Sequence, residues 1–176
     1  MTMLKPVSTI NLSAGLYDLP TLDWSTIEAA VTAAADGPHH SWFLGTIRPD
    51  GRPHSNGIGH VWLDGHIYFA TGPNVQKTRN LLADPRCTVS ATLETYDVVF
   101  DGAAARVTNP EQLAAVVSRY NAAGWPATVD GDAITAPYSA PSAGPAPWHL
   151  YRVTIHSAVA LTTRGKENGA TKWQFR

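Results

Sequence analysis

The sequence predicts a mainly β protein, an antiparallel barrel with appended helices, and three observations carry that prediction. Runs rich in aromatic and β-branched residues follow one another along the chain, separated by short turns bearing Gly, Asp or Pro. Only three segments show helical periodicity, too few crossovers for a parallel doubly wound sheet. The chain has 176 residues, 44% of them apolar, enough for a single domain over 1–176 whose core removes ~70% of the unfolded surface from water.

Residues 1–22, with Pro6 and Pro20, show no sustained period and read as a lead-in. Asp23 caps a helix over Trp24–Ala35, with Ile27, Ala30, Val31 and Ala34 on one stripe and Asp36-Gly37-Pro38 as its stop. Trp42–Ile47 reads as a strand, Pro49-Asp50-Gly51 as a turn and Pro53–Leu63 as a second strand. Asp64-Gly65, a pair that suits a tight hairpin, leads into His66–Thr71 and completes a meander. Gly72-Pro73-Asn74 breaks the sheet and opens a short helix, Val75–Ala83. Asp84-Pro85 stops it, because the residue before proline avoids helical geometry.

Arg86–Leu93 and Tyr96–Val107 are two longer strands, with a bulge expected at Asp101-Gly102. Asn109 as cap and Pro110 as first residue start a third helix, with Leu113, Val116, Val117 and Tyr120 as its apolar stripe and Gly124 as its end. Residues 125–147 carry Pro126, Pro137, Pro141, Pro145 and Pro147, which predicts a long irregular loop of the kind that forms a lid or substrate wall. Trp148–Ile155 and Ala158–Thr163 resume as strands, and residues 164–176 read as a polar tail.

Charged residues are only 15% of the chain, thirteen basic against fourteen acidic, for a formal net charge of −1. That balance excludes a global basic field for nucleic acid or an anionic membrane, so any anion site is local. The single Cys87 excludes an internal disulfide and a multi-cysteine metal site, and its apolar surroundings fit an inert core thiol. No uncharged apolar run reaches the ~18 residues of a membrane span, and no signal-peptide stretch is present, so a cytoplasmic location is expected.

The segment Thr71–Asn80 is the most informative for chemistry. A strand ends, a glycine permits a tight turn and a helix begins, so unpaired N–H groups and the helix-end field favour a phosphate there. Gln76, Lys77, Thr78, Arg79 and Asn80 add donors within little more than one turn. The same residues also fit an ordinary solvated basic helix face. His54, His60, His66, His149 and His156 lack acidic partners at ligand spacing, which argues against a metal site. No Gly-x-Ser-x-Gly elbow and no Gly-x-Gly-x-x-Gly turn occurs. Tyr138 and His54 are conceivable proton donors, and the general acid stays unassigned.

The run Phe43–Ser55, then Ile67–Gly72, then Lys77–Arg86 resembles the pyridoxamine-phosphate-oxidase-like flavin/deazaflavin split-barrel family. Asp101-Gly102-Ala103, Trp148–Thr154 and the closing Gly169–Phe175 are similar to its actinobacterial deazaflavin-dependent branch. The resemblance implies a six-stranded antiparallel split barrel of the FMN-binding type, forming a homodimer with cofactor sites at the subunit interface. By position, Lys77 matches the phosphate-binding lysine, with Gln76, Arg79 and Asn80 beside it. Ser55, Asn56 and Gly57 fall on the strand that lines the ring, and Thr71 and Gly72 edge the pocket. Lys172 and Trp173 match a basic–aromatic pair that approaches the cofactor, while Gln174 stands where relatives commonly carry a second arginine. The Arg-Leu-x-Pro ending of the oxidase itself is missing, which argues against pyridoxamine-phosphate oxidation.

The resulting expectation is an oxidoreductase that passes hydride from reduced coenzyme F-420 to a small organic acceptor. Arg48, Arg52, Arg79, Arg86 and Lys172 are the cations expected to meet the acidic tail of that cofactor. The alternatives are an FMN-dependent oxidoreductase on the same barrel and a non-catalytic binder of flavin, deazaflavin or tetrapyrrole.

Overall fold

A computed structural model describes residues 4–36, 41–165 and 168–175. The strands in chain order are β1 (Ser8–Asn11), β2 (Trp42–Ile47), β3 (Pro53–Ile58), β4 (His60–Leu63), β5 (His66–Thr71), β6 (Arg86–Thr92), β7 (Tyr96–Val107), β8 (Thr128–Asp130), β9 (Ala133–Thr135), β10 (His149–Thr162) and β11 (Ala170–Gln174). The helices are α1 (Trp24–Asp36), α2 (Gln76–Ala83) and α3 (Pro110–Ala122). The helix stop read at Gly37-Pro38 lies outside the described residues. Among the described residues no helix is long and apolar enough to cross a membrane.

The segment read as one strand, Pro53–Leu63, is broken at Gly59, and the break closes the barrel. Its first half, β3, pairs antiparallel with β2, while its second half, β4, pairs with β5. β5 continues onto β10, β10 onto β7, β7 onto β6, and β6 back onto β2. Counting β3 and β4 as one bent strand, six strands complete the cycle of an antiparallel split barrel. The turn between β4 and β5 has Asp64 at φ +50° and Gly65 at φ +73°, the left-handed pair that a tight hairpin requires.

Four further expectations are corrected. The two strands expected over 148–163 are one strand, β10, long enough to pair with β7 along its length, with β5 through its first half and with β11 through its second. The bulge lies on β10, between Ile155 and Ser157, opposite the expected Asp101-Gly102 on β7. A side chain at Gly102 would overlap the Thr154 carbonyl, so the close approach of the two strands requires glycine there. The lead-in and the tail are not structureless, because β1 and β11 pair with each other and extend the sheet beyond β10. Residues 125–147 are not wholly irregular either: β8 and β9 form a small hairpin, and Pro141–Ala143 make a 3-10 turn.

Two apolar cores result. Trp42, Leu44, Phe69, Val89, Phe100 and Val153 pack together from the barrel strands with Ile27 and Val31 of α1. A second cluster joins Leu113, Val116 and Tyr120 of α3 to Ile134, Trp148 and Leu150. The expected caps form: Asp23 Oδ1 accepts from Ser25 N at 2.7 Å, and Asn109 Oδ1 accepts from Gln112 N at 3.0 Å.

Candidate functional site

A cavity of about 670 Å³ lies between the bend of β3–β4, the start of α2, the end of α3 and the segment 138–143. Gly57, Ile58 and Gly59 form one wall. A Cβ at Gly59 would meet nothing within 4 Å, so the backbone there is bare and open to a flat group. Phe43, Trp125 and Tyr138 supply aromatic surface, the buried Trp42 and Tyr120 back it, and His60 stacks on Trp42 at a ring separation of 3.9 Å. Lys77 is the only Lys or Arg side chain among the described residues that line the cavity.

Lys77 follows Gln76 in the first turn of α2, as the glycine-turn pattern predicts, yet its side chain is only 3% exposed. Its Nζ donates to the Ser142 carbonyl at 2.8 Å. Burial pulls its pKa below the ordinary lysine value. Burial also lowers the pKa of His54, helped by the positive fields of Arg48 and Lys77. A lowered pKa favours the neutral imidazole over a standing cation.

The other sequence-predicted residues do not all converge on the cavity. Gly57 lines it directly. Asn56, next to it, turns its amide onto the Gly57 carbonyl at 3.0 Å. Ser55 instead belongs to a second depression of about 730 Å³, over Gly45, Thr88 and Asp101. Thr71 and Thr78 are buried and their hydroxyls meet at 3.3 Å, while Thr78 Oγ1 also donates to the Gly72 carbonyl. Gly72 donates its N–H to the Ala143 carbonyl at 2.7 Å.

Asn80 is fully buried, donating to Thr46 Oγ1 at 2.9 Å and accepting from Gln76 Nε2 at 2.7 Å. Arg79 is exposed and donates to the Asn74 carbonyl and to Gln76 Oε1. Trp173 is 1% exposed and packs against Trp24 with ring centroids 5.4 Å apart, which makes it a core residue of this chain. Lys172, one residue earlier, faces the opposite side of the sheet because strand side chains alternate.

That opposite side carries a continuous row. Gly57 pairs with Phe43, Phe43 with Ser90, Ser90 with Val99, Val99 with Val159, Val159 with Lys172 and Lys172 with Ile10. Phe43 is 47% exposed, Val99 39% and Ile10 43%, so an apolar stripe runs from the cavity edge to β1. Sequence reasoning missed His60 and Tyr120 as lining, whereas Trp125 and the 138–143 segment fall within the 125–147 loop read as a lid or substrate wall.

The architecture is shared with solved structures. A pyridoxamine 5'-phosphate oxidase-related, FMN-binding protein from Nostoc punctiforme superposes with a TM-score of 0.56 at 16% identity, covering 87% of this chain and 90% of that one. A heme-binding protein from Mycobacterium smegmatis gives 0.59 at 18% identity, over 83% of this chain and 57% of its own. General Stress Protein 26 from Bacillus anthracis gives 0.52 at 15% identity, over 76% and 92%. At these identities the likeness is one of fold. No curated protein matches the chain. The family model described as pyridoxamine 5'-phosphate oxidase matches residues 37–158, well over half of the chain, from α1's end to β10. With the closed six-strand cycle around it, that match shows that the chain belongs to the pyridoxamine 5'-phosphate oxidase family.

Proposed function

We propose that the protein is an oxidoreductase that binds reduced coenzyme F-420 in the 670 Å³ cavity and reduces a small organic acceptor there. The observation that carries this reading is the pairing of a buried lysine with a bare glycine wall in one aromatic-lined cavity. These features suit a flat, phosphorylated group. The open backbone at Gly57–Gly59 takes a ring at close range, Phe43 flanks it, and Lys77 supplies a donor for phosphate. The cofactor, when bound, supplies the hydride, and the chain contributes position, exclusion of water and a shaped wall. Residues 138–143 are that wall on the acceptor side. Tyr138 is held there by two bonds, its carbonyl accepting from Trp125 Nε1 at 2.7 Å and its hydroxyl donating to the Gly124 carbonyl.

The working unit in this reading is a homodimer. The apolar row Phe43–Val99–Ile10 would be covered by a second copy, and Lys172 lies in that row. A partner subunit seated on this face brings Lys172 toward the cavity edge at Phe43 and Gly57. The preference for the deazaflavin rests on the Gly169–Phe175 resemblance.

FMN is the second reading, and a specific observation favours it. Three of the five cations assigned to the acidic tail are engaged locally: Arg52 with Asp50 and Arg86 with Asp84, each at 2.6 Å, and Arg79 with Asn74 and Gln76. Arg86 holds the Asp84 carboxyl down to about 2. Absorbance and mass of the cofactor carried by protein made in a deazaflavin-producing host separate the two. Lys77→Ala is expected to weaken cofactor binding about tenfold to a hundredfold, the equivalent of ~1.5–3 kcal/mol for a charged hydrogen bond. Tight binding without turnover of any acceptor would reduce the protein to a carrier, and unchanged affinity in folded Lys77→Ala would move the phosphate elsewhere.

A further inference from the structure

The segment 138–144 is a strap fixed at its two ends by indoles from different elements. Trp125 Nε1 donates to the Tyr138 carbonyl at 2.7 Å, and Trp148 Nε1 donates to the Gly144 carbonyl at 2.8 Å. Between these anchors two groups hold it to the start of α2. Gly72 N–H donates to the Ala143 carbonyl at 2.7 Å, and Lys77 Nζ donates to the Ser142 carbonyl at 2.8 Å. The approach is close: a Cβ on Gly72 would stand 2.5 Å from the Ala143 carbonyl oxygen.

The second of these contacts is chemically unequal. Lys77 is a cation with 3% of its surface exposed, and its acceptor is a neutral amide oxygen. None of the ion pairs among the described residues involves it. A buried ammonium is far better matched by an anion than by a carbonyl. An oxygen of any anion must approach Nζ to within roughly 3 Å to bond, and with the residue only 3% exposed there is little room for it while the Ser142 carbonyl stands there. The ammonium has three N–H groups, so carbonyl and anion compete for the space around a buried Nζ rather than for a single donor.

Resting on the cofactor reading above, we propose that the Ser142 carbonyl and the cofactor phosphate are alternative partners of Lys77, so that phosphate binding releases the strap between its indole anchors. Lys77 is then a latch as well as a phosphate ligand. The acceptor-side wall opens or closes according to what the phosphate site holds. By linkage, whatever stabilises the closed strap weakens phosphate binding by the same factor. Gly144, at φ +73°, is the point where the strap backbone turns in the left-handed region.

Amide hydrogen exchange at Gly72 and at residues 139–144 tests this, with FMN and phosphate-free riboflavin as probes. FMN is expected to speed exchange at these amides at least tenfold, and riboflavin to leave them unchanged. Lys77→Met should show the fast exchange with no probe added, and FMN should then change nothing further. Ser142→Ala should behave as wild type, because the acceptor is the main-chain carbonyl. Wild-type protection of Gly72 in Lys77→Met overturns the proposal, as does FMN binding that leaves Gly72 protected. Gly72→Ala covers the case in which Lys77→Met does not fold. It displaces the strap with Lys77 intact, so FMN should bind several-fold more tightly, and equal or weaker binding refutes the competition. Wild-type protein that takes up neither FMN nor coenzyme F-420 would sink the cofactor reading, while the exchange of Lys77→Met still decides the latch.

Discussion

Asn80 separates a structural role from a binding role, because resemblance assigns it to the cofactor and the structure buries it between α2 and β2. Its Nδ2 donates to Thr46 Oγ1, itself buried, and its Oδ1 accepts from Gln76 Nε2. In Asn80→Ala, Gln76 is exposed enough to recruit water, so that bond is largely replaced. The Thr46 hydroxyl is left with only its long contact to the His54 carbonyl, 3.4 Å. Losing the buried bond and stranding its partner costs about 1–2 kcal/mol. The void left by the carboxamide, roughly 25–30 Å³, adds about 0.6–0.7 kcal/mol at ~24 cal/mol per Å³. A total of about 2–3 kcal/mol corresponds to a fall in Tm of roughly 4–12 °C for a chain of this size. Denaturant titration and calorimetry on purified wild type and variant, each without added cofactor, measure it. A variant within 0.5 kcal/mol of wild type that nonetheless loses cofactor affinity would refute the argument and return Asn80 to the ligand set.

The remaining predictions concern burial and assembly. Glu28 is 4% exposed, and burial raises its carboxyl pKa despite a bond from Leu4 N at 3.2 Å. A raised acid pKa in the fold means that its stabilising contribution is complete below the ordinary carboxylate range and is lost as pH rises through the folded value. Glu28→Gln should therefore raise Tm at pH 8 and give no gain at pH 4, and the reverse pattern would contradict the assignment. The Cys87 thiol, buried in β6, is pushed up to about 12. It should resist thiol reagents at pH 8 until denaturant is added, and rapid labelling of native protein would count against a core position. Sedimentation at micromolar concentration should show a homodimer that Phe43→Glu converts to monomer. A wild-type monomer with cofactor bound would exclude a shared site.

Much of this protein was legible in its sequence because the signals are local. Asn109-Pro110 starts a helix through its own side chain and a fixed φ, Asp64-Gly65 makes a hairpin through two left-handed residues, and Gly72-Pro73-Asn74 ends one element before the next. Lys77 was readable for the same reason, as a cation at a helix start. What those signals leave open is anything set by pairing across the chain. Whether Pro53–Leu63 is one strand or two depends on its having different partners on either side of Gly59. The 168–175 segment looks polar, yet Trp173 and Phe175 become core once β11 docks on β10. Alternation along that strand then sends Trp173 inward and Lys172 outward, dividing a pair that adjacency in sequence had joined. The strap shows the same limit most clearly. Ser142 and Lys77 are 65 residues apart, and a main-chain carbonyl carries no side-chain identity. Only the folded chain brings that oxygen to that ammonium, since the contact is chosen by packing around Trp125, Trp148 and Gly72 and not by any residue type in the loop itself.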